Sequence, residues 1–401
     1  MFDQGFRPFF GLAALIAATA IPLWLWLLDA GSASLLSETM VLAPRDWHVH
    51  EMLFGYGLAV LAGFLLTAIP NWTSRPPIAG TLLKGLVALW ISGRIALLFL
   101  HDLPTLALLI TLAFPLSLCL LCWREITAAG NRRNLPVCVL LTVFAGADVI
   151  FLSAAIANAP SSVTSSAMAL TEHAMLIGWG ERAGMACLLL LITFIGGRVV
   201  PAFSRNWMKA QGITRLPAEF SRIDVAALLA GGVALCAFVA MPHDAVTGGL
   251  FAAAAICHAL RLLRWRGWQA VREPLVLILH LGYAWLVVGF GLAAMSILGF
   301  NLPSTTAVHA LTAGAVGTMT LAIMTRATLG HSGRPLSATS ATSLVYILVL
   351  TGALLRIAAP WMPIDYLSAL TLAGVVWSGA FVVFALAYGP MLTNTSGKGS
   401  N

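Results

Sequence analysis

Apolar runs of roughly 20 residues recur along this chain, each about long enough to cross a hydrocarbon core near 30 Å thick. Twelve can be marked, at 8–28, 48–70, 82–100, 104–122, 135–157, 180–203, 222–241, 244–264, 274–298, 305–327, 340–360 and 365–389. Lipid offers backbone groups no hydrogen-bond partner, so outside a closed barrel each run is predicted to be a helix. The expected fold is all-α, a polytopic transmembrane helix bundle. With 60% hydrophobic and 9% charged residues among 401, no soluble fold could hide this much apolar surface. The connections are too short for a soluble domain, so residues 1–389 are expected to form a single transmembrane domain. Residues 390–401, ending in TNTSGKGSN, read as a disordered polar tail. The leader MFDQGFRPFF lacks a small-residue cleavage site and its run ends in a charged loop, so the first run reads as a retained span.

Charge placement sets the expected orientation. The even-numbered connections carry Arg75 and Lys84; Arg124, Arg132 and Arg133; Arg205, Lys209, Arg215 and Arg222; Arg264, Arg266 and Arg272; and Arg334. The odd-numbered ones hold Glu38, Asp46, Asp102, Glu172, Asp244 and Asp365, with Arg45 and almost no other base. By the positive-inside rule both termini are cytoplasmic. The pI of about 9.4 is therefore topological, and bases spread over short loops exclude a nucleic-acid module. The six cysteines lie in or beside the apolar runs, which excludes an extracytoplasmic disulfide framework. Cys119 and Cys122 have CxxC spacing but read as packing residues at a span end.

Six of the nine histidines fall inside the runs or at their ends. An imidazole in hydrocarbon is costly unless its nitrogens are taken up, so each is a functional candidate, and a metal is its commonest partner. His258 and His280 each lie about six residues from the cytoplasmic end of a span, roughly 9 Å deep. That level suits two axial ligands of one haem, or two ligands of one metal. His331, in the loop RATLGHSGRPL, arrives at the same face, and Arg198, Arg261, Arg264 and Arg326 could meet haem propionates. Toward the other face stand His48, His50 and His309. Residues two apart on a helix point to nearly opposite sides, so His48 and His50 share a metal only if His48 precedes the helix. The small residues after His309, Ala310 to Gly317, read as a packing stripe rather than a bed for a flat macrocycle. Glu51 could hold a ligand imidazole in one tautomer or pass protons. Asp148 should be paired or protonated, with Arg94 a possible partner. His101, His173 and His243 lie in or beside outer loops and need no ligand.

Taken together, GFRPFF, WHVHEMLFGYGLAVLAGFLLTAIPNWTSRPP, LLLITFIGGRVVPAFSRN, CHALRLLRWRGW, LHLGYAW and HALTAGAVGTMTLAIMTRATLGHSGRPL resemble the NnrS family of bacterial integral membrane proteins. The resemblance runs from the leader to the tenth span. It implies haem, copper and a nitric oxide context in the inner membrane, without saying which histidine binds which metal.

The resulting expectation is a membrane oxidoreductase of the nitric oxide reductase type, served by an unidentified electron donor. Its reactive centre is expected at His48, His50 and His309 with Glu51. His258 and His280 are expected to hold a haem, b-type, with Arg198, Arg261 or Arg326 at its propionates; copper is the second candidate metal. All six histidines, His331 included, are metal-ligand candidates. The alternatives are a non-catalytic protein that binds nitric oxide or metal protectively, and a transporter of haem or copper.

Overall fold

The structure, a computed structural model, describes residues 1–28, 39–158 and 167–393. Among them there is no strand, and twelve helices are long and apolar enough to cross a membrane. In chain order they are α1 Phe6–Leu28, α2 Pro44–Thr73, α3 Gly80–Phe99, α4 Pro104–Ala128, α5 Arg132–Ala157 and α6 Leu170–Ala210. They continue with α7 Arg222–Ala240, α8 Ala245–Arg264, α9 Pro274–Ile297, α10 Ser304–His331, α11 Ser340–Trp361 and α12 Tyr366–Thr393. The twelve expected runs are recovered one for one. The main excess is in α6, whose 41 residues extend well beyond the apolar stretch 180–203. The last helix reaches Thr393, so 390–393 are helical rather than tail; residues 394–401, and Glu38, lie outside the described residues.

Local sequence explains where the helices begin. Proline stands in the first helical turn at Pro44, Pro104 and Pro274, and at Pro136 in the first α-helical turn of α5, after the 3₁₀ turn Arg132–Asn134; there its missing N–H costs nothing. Ser221 and Asp224 form a reciprocal capping box at the start of α7, and Asp244 accepts from the Val246 N–H at the start of α8. Glu273 and Thr339 cap α9 and α11 in the same way.

Three helices contain a π-helical segment: Glu51–Tyr56 in α2, Ile192–Gly196 in α6 and Ala310–Val316 in α10. Such turns carry one residue more than an α-helical turn and cluster at functional sites. Two of them begin directly after a candidate histidine, His50 and His309.

The sequence offers one continuous domain over 1–389; the helices gather into two compact units. The first comprises the described residues up to Cys187 together with those from Tyr388 to Thr393, and the second residues Leu188–Ala387. In both, small residues let helices approach closely, as packing in lipid requires. In the first unit Gly63 lies under the Phe10 ring, and a Cβ at Gly180 would stand 2.6 Å from Phe151 Cβ and 2.8 Å from the Ala147 carbonyl oxygen. In the second, α9 is the central helix, packed by α8, α10 and α11. Gly314 faces the Trp285 ring, Gly317 the Trp377 ring, and a Cβ at Gly352 would stand 2.6 Å from the Trp377 backbone nitrogen. The small-residue stripe of α10 therefore serves helix packing.

Substituting alanine at Gly180 or Gly352 is expected to cost about 1–3 kcal/mol by overpacking against backbone. Gly85 and Gly232 have open space around them, so alanine there should be neutral or add about 0.5–1 kcal/mol. Thermal unfolding of the four variants in detergent measures the difference.

Candidate functional site

In the first unit a buried polar quartet is built around the π segment of α2. His50 is fully buried, and both its nitrogens face carboxylates: Nδ1 lies 3.3 Å from Glu51 Oε1 and Nε2 3.1 Å from Asp148 Oδ1. Arg94 Nε stands 3.2 Å from Glu51 Oε1. The partner of Asp148 is thus His50, and Arg94 pairs with Glu51 instead. Glu51 is 1% exposed and its Oε2 has no hydrogen bond. Gly55 makes room for the Glu51–Arg94 pair: a Cβ there would lie 2.7 Å from Glu51 Oε2 and 2.8 Å from Arg94 Nη1. Trp90 holds the segment from outside, its Nε1 donating to the Gly55 carbonyl at 3.1 Å.

Charge and hydrogen count restrict this quartet. Two ionised carboxylates accept only, so both contacts of His50 are satisfied when both ring nitrogens carry a proton. With Arg94 charged, the group is then neutral, which is the form a bundle interior tolerates. If His50 is neutral, one of the acids must hold that proton. In either form one proton is shared among His50, Glu51 and Asp148.

His48 takes no part. Because α2 begins at Pro44, His48 and His50 both lie on the helix and point to different neighbours. The His48 ring stacks on Trp24 of α1 with centroids 4.2 Å apart. The condition under which the two could share an ion, His48 ahead of the helix, is not met.

The second unit holds a separate network on α6, α7, α8 and α9. Arg261, 1% exposed, donates from Nε to Asp224 Oδ1 at 3.0 Å and from Nη1 to the Thr193 carbonyl and to Tyr283 Oη, both at 3.0 Å. Arg264 Nη1 donates to the second Asp224 oxygen at 2.8 Å. Thr193 belongs to the π segment of α6, and a side chain at the adjacent Gly197 would collide with the Arg261 guanidinium. His258 Nδ1 lies 2.7 Å from Tyr283 Oη. Its Nε2 points at the α7 backbone, near the Ala227 carbonyl and Gly231, without completing a hydrogen bond. From Tyr283 the ring contacts continue to Trp265 at 4.6 Å and from Trp265 to His280 at 6.5 Å. His280 Nε2 meets Ser204 Oγ at 2.7 Å, and that hydroxyl donates to the Val200 carbonyl at 2.8 Å. His280 is then the donor in the first contact, which leaves Nδ1, buried and without a hydrogen bond, as its acceptor.

The remaining candidates are dispersed. His309 donates from Nδ1 to the Thr305 carbonyl at 2.7 Å, leaving Nε2 as its acceptor. His331 closes α10 and is exposed at the helix end rather than in a loop. Arg198 and Arg326 lie over the Phe194 and Phe203 rings, at 4.1 and 3.9 Å from the centroids. Arg261 already serves Asp224, Thr193 and Tyr283. Cys119 and Cys122 are free thiols; Cys119 Sγ contacts Thr142 Oγ1 at 3.2 Å.

Geometry does not suit a haem held between His258 and His280. A Cβ at Gly231 would lie 2.7 Å from His258 Nε2, and one at Gly267 2.5 Å from His280 Nδ1, so each outward nitrogen already abuts backbone. Tyr283 and Trp265 link the two imidazoles. Among the described residues no three His, Cys, Asp or Glu side chains converge as metal ligands.

Sequence reasoning missed Tyr283, Asp224, Ser204 and Trp265. Two signals were present. Tyr283 follows His280 by three residues, hence shares its helix face, and Ser221-x-x-Asp224 has the capping-box spacing.

Replacing Asp224 with alanine strands the Arg261 charge in the bundle and is expected to cost about 3–5 kcal/mol. Arg45, whose exposed side chain reaches Glu181 at 2.7 Å, should cost no more than about 1 kcal/mol when replaced. Denaturation in detergent separates the two.

A family model described as NnrS protein matches residues 1–395. No curated protein matches the chain.

Proposed function

Because this chain belongs to the NnrS family, and membership links it to nitric oxide-related function, we propose that it metabolises or detoxifies nitric oxide within the bacterial inner membrane. The finer reading is an oxidoreductase of the nitric oxide reductase type, with both termini cytoplasmic. Nitric oxide is small and neutral, so it reaches a buried site through the lipid itself. Coupling two molecules to nitrous oxide and water consumes two electrons and two protons. Electrons would come from a separate donor; protons must cross an apolar bundle.

The observation that carries this reading is the quartet of His50, Glu51, Asp148 and Arg94. It keeps one shared proton in the membrane interior at no net charge. Glu51 Oε2, the oxygen without a hydrogen bond, is the atom from which that proton can pass on. Asp148 and Arg94 hold His50 and Glu51 in place.

A haem, of b type, or a copper ion, as the family resemblance implies, would supply the electron transfer. The histidines expected to hold it do not converge in this arrangement, so the proton chemistry is derived from the chain alone. Ligation is proposed at His309 Nε2, which keeps its lone pair, whereas His280 Nδ1 abuts the Gly267 backbone.

Purified full-length protein in proteoliposomes, given a reductant and nitric oxide, should form nitrous oxide over many turnovers. Glu51→Gln and Asp148→Asn should lower that rate about 100-fold or more, the usual weight of general acid catalysis, while melting within a few degrees of wild type. Rates unchanged in both variants would remove the quartet from the reaction. Uptake of nitric oxide limited to one equivalent would replace the enzyme by a binding protein. Orientation is checked separately: a reporter inserted at Arg133 should face the cytoplasm and one at His243 the opposite side.

A further inference from the structure

The two inner histidines carry their protons on defined atoms, and one of them is thereby withdrawn from metal binding. The assignment follows from counting donors. A guanidinium has N–H donors and no acceptor. Arg261 Nη1, 3.0 Å from Tyr283 Oη, must therefore donate to the phenol oxygen. The phenol has one hydrogen, and the other polar group in contact with it is His258 Nδ1 at 2.7 Å. Tyr283 consequently donates to Nδ1, and Nδ1 must present its lone pair. A neutral imidazole then carries its proton on Nε2, the atom turned toward the Gly231 backbone. Neither nitrogen of His258 offers a lone pair to iron or copper while Arg261 and Tyr283 stand as they do. Ligation through Nε2 would put the proton on Nδ1, leaving two donors, Nδ1–H and Arg261, aimed at one phenol oxygen whose own hydrogen has no acceptor.

We propose that Tyr283 is a positioning residue. Oriented by Arg261, it locks His258 as the Nε2–H tautomer and removes it from the ligand set, so that His258 is a hydrogen-bond acceptor in the bundle. The lock is anchored at both ends. Asp224 and the Thr193 carbonyl fix the guanidinium, and Trp265 packs against the Tyr283 ring with centroids 4.6 Å apart. His280, by contrast, donates from Nε2 to Ser204 and keeps its Nδ1 lone pair. The two histidines thus have opposite tautomeric surroundings.

Full-length protein labelled with nitrogen-15 at histidine is compared as wild type, His258→Gln and Tyr283→Phe, together with haem and copper per chain. The His258 signals, identified by their loss in His258→Gln, should show an unprotonated, hydrogen-bonded Nδ1 and a protonated Nε2 in wild type. In Tyr283→Phe the Nδ1 resonance should move to that of a nitrogen without a donor. Haem and copper per chain should be unchanged in His258→Gln. A protonated Nδ1 in wild type overturns the proposal, as does loss of haem or copper in His258→Gln. An Nδ1 resonance unmoved in Tyr283→Phe also overturns it. Should His258→Gln fail to fold, the wild-type resonances, assigned through Tyr283→Phe, still decide. Absence of metal from all preparations would count against the redox reading and leave the tautomer result standing.

Discussion

A buried guanidinium that can only donate sets the terms for the polar interior of the second unit. Arg261 is 1% exposed and its guanidinium has only donors, so the polar groups it hydrogen-bonds must accept. Asp224, the Thr193 carbonyl and the Tyr283 oxygen do so, and each is supplied by a different helix. Gly197 exists as glycine because the guanidinium occupies the space a side chain would need. The direction of the hydrogen bonds then propagates from the cation outward, through the phenol to His258. In water such directionality would blur, since solvent supplies missing donors and acceptors. In a membrane bundle an unsatisfied group costs several kcal/mol, which is why counting hydrogens is informative here.

The first unit resolves the same problem with different chemistry. Its cation, Arg94, pairs with Glu51, and His50 bridges two acids rather than a phenol and a backbone. The contrast suits different duties. Arg261 and Tyr283 fix a proton's location, whereas the acids around His50 leave one to be shared among three side chains.

The architecture was largely legible in the chain. Twelve hydrophobic runs became twelve helices with ends within a few residues in most cases, because hydrophobic length and the need for internal backbone hydrogen bonds leave a segment little freedom. The histidine candidates were legible as types and depths but not as partners. His48 and His50 show why: the sequence places them two residues apart, and only the start of α2 at Pro44 decides that one ring stacks on Trp24 while the other meets Asp148. Position along the spans of His258 and His280 says nothing of azimuth, and their rings turn to Tyr283 and Ser204. Asp148 was recognised as needing a partner; which one depended on how α2 and α5 pack. The π segments had no signature that hydrophobic periodicity could expose. Tyr283 was overlooked because an aromatic in an apolar run reads as packing until its hydroxyl's neighbours are known.

Those π segments restrict how the gene can vary. Each residue turns a helix by about 100°, so a π turn is the mark of one surplus residue absorbed locally. Deleting one residue inside Glu51–Tyr56 or Ala310–Val316 would restore the ordinary winding and leave the helix beyond it facing as before, whereas a deletion elsewhere in α2 or α10 would swing everything beyond it by about 100°. Lineages descended from this fold can therefore lose a residue from these helices at the π turns with least disturbance, giving up the local widening and keeping the rest of the span in place.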